Sequence, residues 1–348
     1  MTDAPAPATL MSREIREQPD VWRGLLASGQ FEPVAEQVRR RRPRMVLLAA
    51  RGTSDHAALY AKYLVEVTHQ LPAGLVSPST LTAYGATPDL RDVLLLAISQ
   101  SGGSPDLLRT VEVARAQGAL TLAVTNNPAS AMAEAAELHV DILAGPERAV
   151  AATKSYTAQL LALYLLLLRV RDGAPSGPAR ALPDLGSELL QREPEVAGHA
   201  QRYRFAQRLL TTARGYSYPT AREAALKLME TSYVSAQAFS GADLMHGPLA
   251  IVDAQVPVLA VVADGPGGRA MQPVLPRLTA AGADVFTVGT PEAVAESTGG
   301  IPLPSGVPEE LSPVLEILPF QQLAMHLAVL RGENPDAPRG LRKVTETL

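Results

Sequence analysis

The segment Ala50-Arg51-Gly52-x-Ser54 recurs as Ala213-Arg214-Gly215-x-Ser217, a displacement of 163 residues. At the same displacement Leu96-Ala97 and Gly102 recur as Leu259-Ala260 and Gly265. Gly118-Ala119 and Val124 recur at 164 as Gly282-Ala283 and Val288. Small residues coincide once by chance, hardly three times in register, so the chain reads as two copies of one domain. A length of 348 residues agrees, because one hydrophobic core rarely organises so many.

Each recurring segment sits at the end of an apolar run. Met45 to Ala50, Val93 to Ile98, Leu120 to Thr125 and Leu138 to Leu143 are continuous and hydrophobic, as strands covered on both faces require. Helical stretches alternate with them, which predicts an α/β fold of two tandem doubly wound parallel sheets. The expected boundaries are an N-terminal tail with helices over 1–34, a first domain over 35–175, a linker over 176–190, a second domain over 191–332 and a tail over 333–348. Residues 1–10 are expected to be disordered. Ile15, Trp22, Leu25, Leu26, Phe31, Val34 and Val38 predict one or two helices whose apolar faces need a cover, such as a second subunit. The greasiest run, Ala158 to Leu168, is about half the length of a membrane span and reads as a buried helix.

Composition removes several classes of function. A net charge of −4 gives no electrostatic footprint for nucleic acid or a membrane surface, so neither is expected as a partner. With no cysteine there is no disulfide, thiolate nucleophile or cysteine-ligated metal. The start, MTDAPAPATL, is neither a signal nor a transit peptide, and a cytoplasmic protein is expected. The six histidines lack ligand spacing, so no metal is expected. Of 31 basic residues all but Lys62, Lys154, Lys227 and Lys343 are arginine, which singles out those four amines.

Two stretches carry chemistry. Ser99-Gln100-Ser101-Gly102-Gly103-Ser104 follows a strand and opens a helix at Pro105. Its hydroxyls and backbone N–H groups make an anion cradle without net charge, although an ordinary serine-rich cap would look similar. Gly52-Thr53-Ser54 occupies the equivalent turn one strand away, at the carboxyl ends where such sheets bind ligands. The P-loop lysine and the GxGxxG pattern are both missing, so a small phosphoester fits better than ATP or NAD, and no cofactor is expected. In the second copy the counterpart is Ala263-Asp264-Gly265-Pro266-Gly267, where Asp264 would repel phosphate. The second stretch runs from Arg222 to Pro248. Glu223, Lys227 and Glu230, spaced four and three apart, share one face of a helix that is otherwise largely apolar. A surface stripe with one ion pair has the same spacing. His246, on the loop Ser240 to Pro248, supplies an imidazole for acid–base work with a carboxylate of that helix.

These segments together resemble a known family. SQSGGS, Glu147 to Lys154, ALKLMETSYVSAQAF and HGPLAIVD look like the sugar isomerase (SIS) family over residues 35 to 348. They most resemble the isomerase half of glucosamine–fructose-6-phosphate aminotransferase and its stand-alone relatives, SIS-type glucosamine-6-phosphate deaminases and fructosamine-phosphate deglycases. The resemblance implies that Ser99, Gln100, Ser101 and Ser104, with Thr53 and Ser54 nearby, bind the phosphate of a phosphosugar, and that Val150 belongs to the substrate site. It places the enolisation base at Glu230, the ring-opening histidine at His246, the C-terminal lysine at Lys343, a further active-site lysine at Lys227 and a nearby carboxylate at Glu223. It also implies a homodimer in which the His246 loop reaches the neighbouring subunit's site. Ala152 departs from the pattern, because the aminotransferase has a serine there. The family's synthase carries a glutaminase with a cysteine nucleophile, and this sequence shows neither. The expectation is therefore a deaminase, converting glucosamine 6-phosphate to fructose 6-phosphate and ammonia. The alternatives are a deglycase or another phosphosugar isomerase, and a phosphosugar sensor without turnover. Retention of Glu230, His246 and Lys343 weighs against the sensor.

Overall fold

In the computed structural model the described residues are 9–173 and 177–343. Among them are two five-stranded sheets, every strand pair parallel. The first holds β1 (Met45–Ala49), β2 (Ala73–Leu75), β3 (Val93–Ser99), β4 (Leu120–Thr125) and β5 (Leu138–Asp141) in the order β2-β1-β3-β4-β5. The second holds β6 (Arg208–Ala213), β7 (Ser235–Ser240), β8 (Val258–Val262), β9 (Val285–Gly289) and β10 (Gly299–Pro302) in the order β7-β6-β8-β9-β10. The orders are the same, so the repeat seen in sequence is a repeat of topology, and the α/β architecture expected is the one observed.

The chain divides into two compact units, each with one sheet. Among the described residues one consists of 20–147, 154–173, 177–180 and 342–343, the other of 9–19, 148–153 and 181–341. The central strands β3, β4, β8 and β9 are buried almost throughout, which is why they read as unbroken apolar runs. In the first unit Leu95, Ala97, Leu107, Val111 and Ala123 pack between the sheet and the Pro105–Ala116 helix. In the second, Val258, Ala260, Leu275, Leu278 and Val285 form the equivalent core. Each fully buried leucine of this kind contributes about 2 kcal/mol.

Each unit also has a 19-residue apolar helix, Lys154–Asp172 in the first and Ser312–Leu330 in the second. The first contains the run from Ala158 to Leu168. The second is long and apolar enough to cross a membrane, yet 89% of its apolar window is buried inside the protein, as in a core helix.

Three N-terminal helices form rather than one or two: Leu10–Arg16, Gln18–Ala27 and Phe31–Arg41. Their apolar faces are covered by this chain itself and require no second subunit. Trp22 is fully buried, its indole Nε1 donating to Thr157 Oγ1 at 3.1 Å. Phe31, Val34 and Val38 are buried where their helix meets Lys154–Asp172. Met11 and Ile15 pack with Ala149 and Met325. Of the tail expected to be disordered, residues 1–8 lie outside the described residues, and the first helix begins at Leu10 with Thr9 as its cap. Within the stretch set apart as a linker, Leu182–Leu190 is helical and buries Leu182, Pro183, Gly186 and Leu189. Residues 174–176 and 344–348 lie outside the described residues.

Candidate active site

The direction of winding reverses between β1 and β3, and the turns that follow those two strands carry the candidate phosphate residues. Ser99 Oγ accepts from Gly102 N at 3.1 Å, and Ser101 Oγ accepts from Gly103 N at 3.2 Å. Each hydroxyl accepts from the backbone and retains its own O–H to donate. Ser104 is the N-cap of the Pro105–Ala116 helix, but its hydroxyl caps no backbone N–H. Gly102 has φ of 64°, and a Cβ there would lie 2.2 Å from Ser130 Oγ, so both the turn and its packing need glycine. Thr53 opens the Thr53–Leu64 helix. Ser54 is buried and accepts from Gln159 Nε2 at 2.9 Å, and Gln100 is partly exposed. The two turns are latched together, because Arg51 Nε and Nη2 both lie 2.8 Å from Oδ2 of the buried Asp106.

The second unit holds the charged row. Pro219 lies in the first turn of the Tyr218–Ser232 helix, where a missing N–H costs nothing. The helix ends at Tyr233, a non-glycine residue with φ of 55°. That conformation is held from outside: Tyr233 OH accepts from Arg339 N at 2.8 Å, and the Arg339 guanidinium lies 4.1 Å from the ring centre. Glu223 and Lys227 are fully buried, and Lys227 Nζ lies 3.3 Å from Glu223 Oε1 and 2.5 Å from Glu230 Oε2. Burial disfavours the Lys227 ammonium, but the two carboxylates outweigh it and hold the lysine above its ordinary value. Glu230 is the open end of the row, with its side chain 22% exposed. The row is an internal ion triad, and the surface-stripe reading is excluded.

His246 is placed otherwise. The loop from Ser240 contains a short helix, Gly241–Met245, capped by Ser240 Oγ on Asp243 N. His246 follows it and is exposed. Among the described residues no hydrogen bond or ion pair joins its ring to Glu223 or Glu230.

Lys343 lies in the first unit, its Nζ 2.8 Å from Oε2 of Glu147. Burial opposes ionisation of Glu147, yet Lys343 and the N–H and O–H of Ser155 outweigh it and lower its carboxyl below the ordinary value. Val150, in the second unit, donates its N–H to Asp336 O at 3.1 Å, while Glu14 accepts from the N–H groups of Arg148 and Ala149. Arg51 and Glu147 lie inside the sequence motifs, but the motifs assign them no role. Their partners, 55 and 196 residues away, left no local signal.

The family described as SIS domain matches residues 41–169 and 203–286. Over 342 residues the chain is 34% identical to the glutamine–fructose-6-phosphate aminotransferase [isomerizing] of Pyrococcus horikoshii, covering 96% of this chain and 57% of that protein. The chain thus spans little more than half the length of this curated relative. The C-terminal domain of glucosamine-fructose-6-phosphate aminotransferase from Francisella tularensis superposes with a TM-score of 0.87 at 26% identity, covering 97% of this chain and all of that one. Glucosamine-6-phosphate deaminase from Thermotoga maritima has the same fold, with a TM-score of 0.81 at 20% identity over 97% of this chain and 100% of that one.

Proposed function

Because the chain belongs to the SIS domain family, we propose that it is a phosphosugar isomerase whose substrate is an amino sugar, converting glucosamine 6-phosphate and water to fructose 6-phosphate and ammonia. The observation that carries this reading is the ion triad, a buried ammonium between two carboxylates of which only Glu230 opens outward. Moving a hydrogen between neighbouring sugar carbons needs one base that can reach carbon and one fixed positive charge for the electrons left behind.

In this reading the hydroxyls of Ser99, Ser101 and Ser104, with the backbone N–H groups of their turn, hold the phosphate and contribute orientation. Thr53, Ser54, Gln100 and Val150 complete the binding residues. His246 moves the ring-oxygen proton as the sugar opens. Glu230 removes the proton from C2 and returns it to C1, turning the 2-amino aldose into a 2-imino ketose. Lys227 and Lys343 offset the negative charge that gathers in between. Water adds to the C2 imine and ammonia leaves, so atoms and charge balance. Two copies of the chain pair in this proposal, each lending its exposed His246 to the other's sugar.

A panel of hexosamine 6-phosphates and fructosyl-amino-acid phosphates, assayed for released ammonia or amine, tests the assignment. Ammonia from glucosamine 6-phosphate is the expected result. Release of an amino acid from a fructosyl compound would replace the deaminase with a deglycase. Tight binding with no turnover of any compound would make the protein a sensor.

A further inference from the structure

The second unit repeats the first down to its winding reversal, here between β6 and β8, but what fills that place is different. Glu309 Oε1 accepts from Gly267 N at 2.7 Å in the turn after β8. A Cβ on Gly265 or Gly267 would lie 2.4 or 2.5 Å from the same carboxylate, so these glycines make room for it. Beside it, Glu316 is fully buried on the Ser312–Leu330 helix and accepts three hydroxyl hydrogen bonds: Ser217 and Ser312 to Oε1 at 2.7 Å each, and Thr220 to Oε2 at 2.8 Å. Where the first unit's turn bonds the amides of Gly102 and Gly103 to its own serine hydroxyls, the second points amide and hydroxyl donors at carboxylates of its own chain.

Ser217 and Thr220 are not arbitrary donors. Ser217 is the N-cap of the Tyr218–Ser232 helix, but its hydroxyl makes no cap bond and goes to Glu316 instead. Thr220 lies one turn before Glu223 on that helix. Ser217 is also the repeat counterpart of Ser54, which is held by Gln159 from the early turns of the other 19-residue helix. In both units a serine at the start of the helix that follows the unit's first strand, β1 or β6, is thus fastened to the long apolar helix. In the second unit the fastening is a carboxylate with three donors, and the helix it fixes carries the ion triad.

We propose that Glu316 is a positioning residue for the reaction: by anchoring Ser217 and Thr220 it sets the axial register of the Tyr218–Ser232 helix, and with it the place of Glu230. The proposal rests on the functional reading above for Glu230, but its structural half can be tested without it. Glu316→Ala removes all the acceptors, and Glu316→Gln keeps one oxygen. A displacement of about 1 Å costs about a hundredfold in turnover. Glu316→Ala is therefore expected to lower kcat for the substrate found in the panel by that order while phosphosugar affinity stays within about twofold. Glu316→Gln should fall between it and the wild type. Amide hydrogen exchange over residues 218–223 should quicken in Glu316→Ala, and this is read whether or not any sugar turns over. If Glu316→Ala does not fold, Ser217→Ala combined with Thr220→Val removes two of the donors and should show the same loss of kcat and protection. Exchange and kcat both unchanged in whichever variant folds would overturn the proposal. A wild type inert towards every sugar, with exchange altered as expected, would instead leave the anchor standing and overturn the reaction.

Discussion

Lys227 Nζ stands 2.5 Å from Glu230 Oε2 inside a helix face where Lys227 itself is wholly buried. A lysine so placed cannot be removed quietly, because Glu223 on the same face is also fully buried. Lys227→Met removes the ammonium that faces both carboxylates of the row and is expected to cost about 3–5 kcal/mol of stability, read by chemical denaturation. Glu230→Gln, by contrast, keeps the shape and removes the base. It should lower turnover by about a hundredfold to ten-thousandfold while phosphosugar binding, measured by calorimetry, persists. Normal turnover in Glu230→Gln would rule out this residue as the base.

Glu316 gives a pH signature of its own. Burial raises its carboxyl against the pull of the three hydroxyls, with Glu309 adding in the same direction, to about 7. A raised carboxyl stabilises the fold at low pH, where folded and unfolded chains both hold the proton, and that contribution is lost as pH climbs. From the ordinary carboxylate range up to about 7 the unfolded chain ionises first, and the loss totals about 3 kcal/mol. Glu316→Gln lacks this titration. Its stability relative to wild type should therefore rise between pH 5 and pH 8, and parallel pH profiles would contradict the assignment.

Gly102→Ala tests the phosphate turn. The added methyl meets Ser130 Oγ, and the backbone at φ of 64° strains any L residue. The turn must shift, and phosphosugar affinity is expected to fall about tenfold or more while the Glu223–Lys227–Glu230 row, on another sheet's helix, is undisturbed. Titration of glucosamine 6-phosphate into the purified variant reads the change.

Sharing of His246 between copies can be read by mixing two dead variants. Refolded together, Glu230→Gln and His246→Ala chains should recover about a quarter of wild-type activity if each site takes its histidine from the other copy. No recovery would place His246 and Glu230 in the same chain's site.

Much of this was legible in the sequence because it is local. Strands buried on both faces announce themselves as apolar runs, and β1, β3, β4 and β5 begin at Met45, Val93, Leu120 and Leu138, where those runs start. The spacing of Glu223, Lys227 and Glu230 gave their common face, since helical geometry alone brings such residues together. What escaped was short or distant. β2 has three residues and β10 contains Gly299, Gly300 and Pro302, so neither carries a strand's composition. The bonds from Glu316 to Ser217 and Thr220 span nearly a hundred residues, and no periodicity reports them. The N-terminal apolar residues were visible, but their cover inside the same chain was not.

The close fit of Glu309 against Gly265 and Gly267 separates two fates of one inherited turn. In the second unit the turn has taken in a carboxylate of its own chain; in the first, the occupant proposed above is the phosphate of a substrate. The same glycine-to-alanine change should therefore impair recognition in one half and folding in the other, and a pattern shared by descent will mislead anyone who reads both halves as guarding the same property.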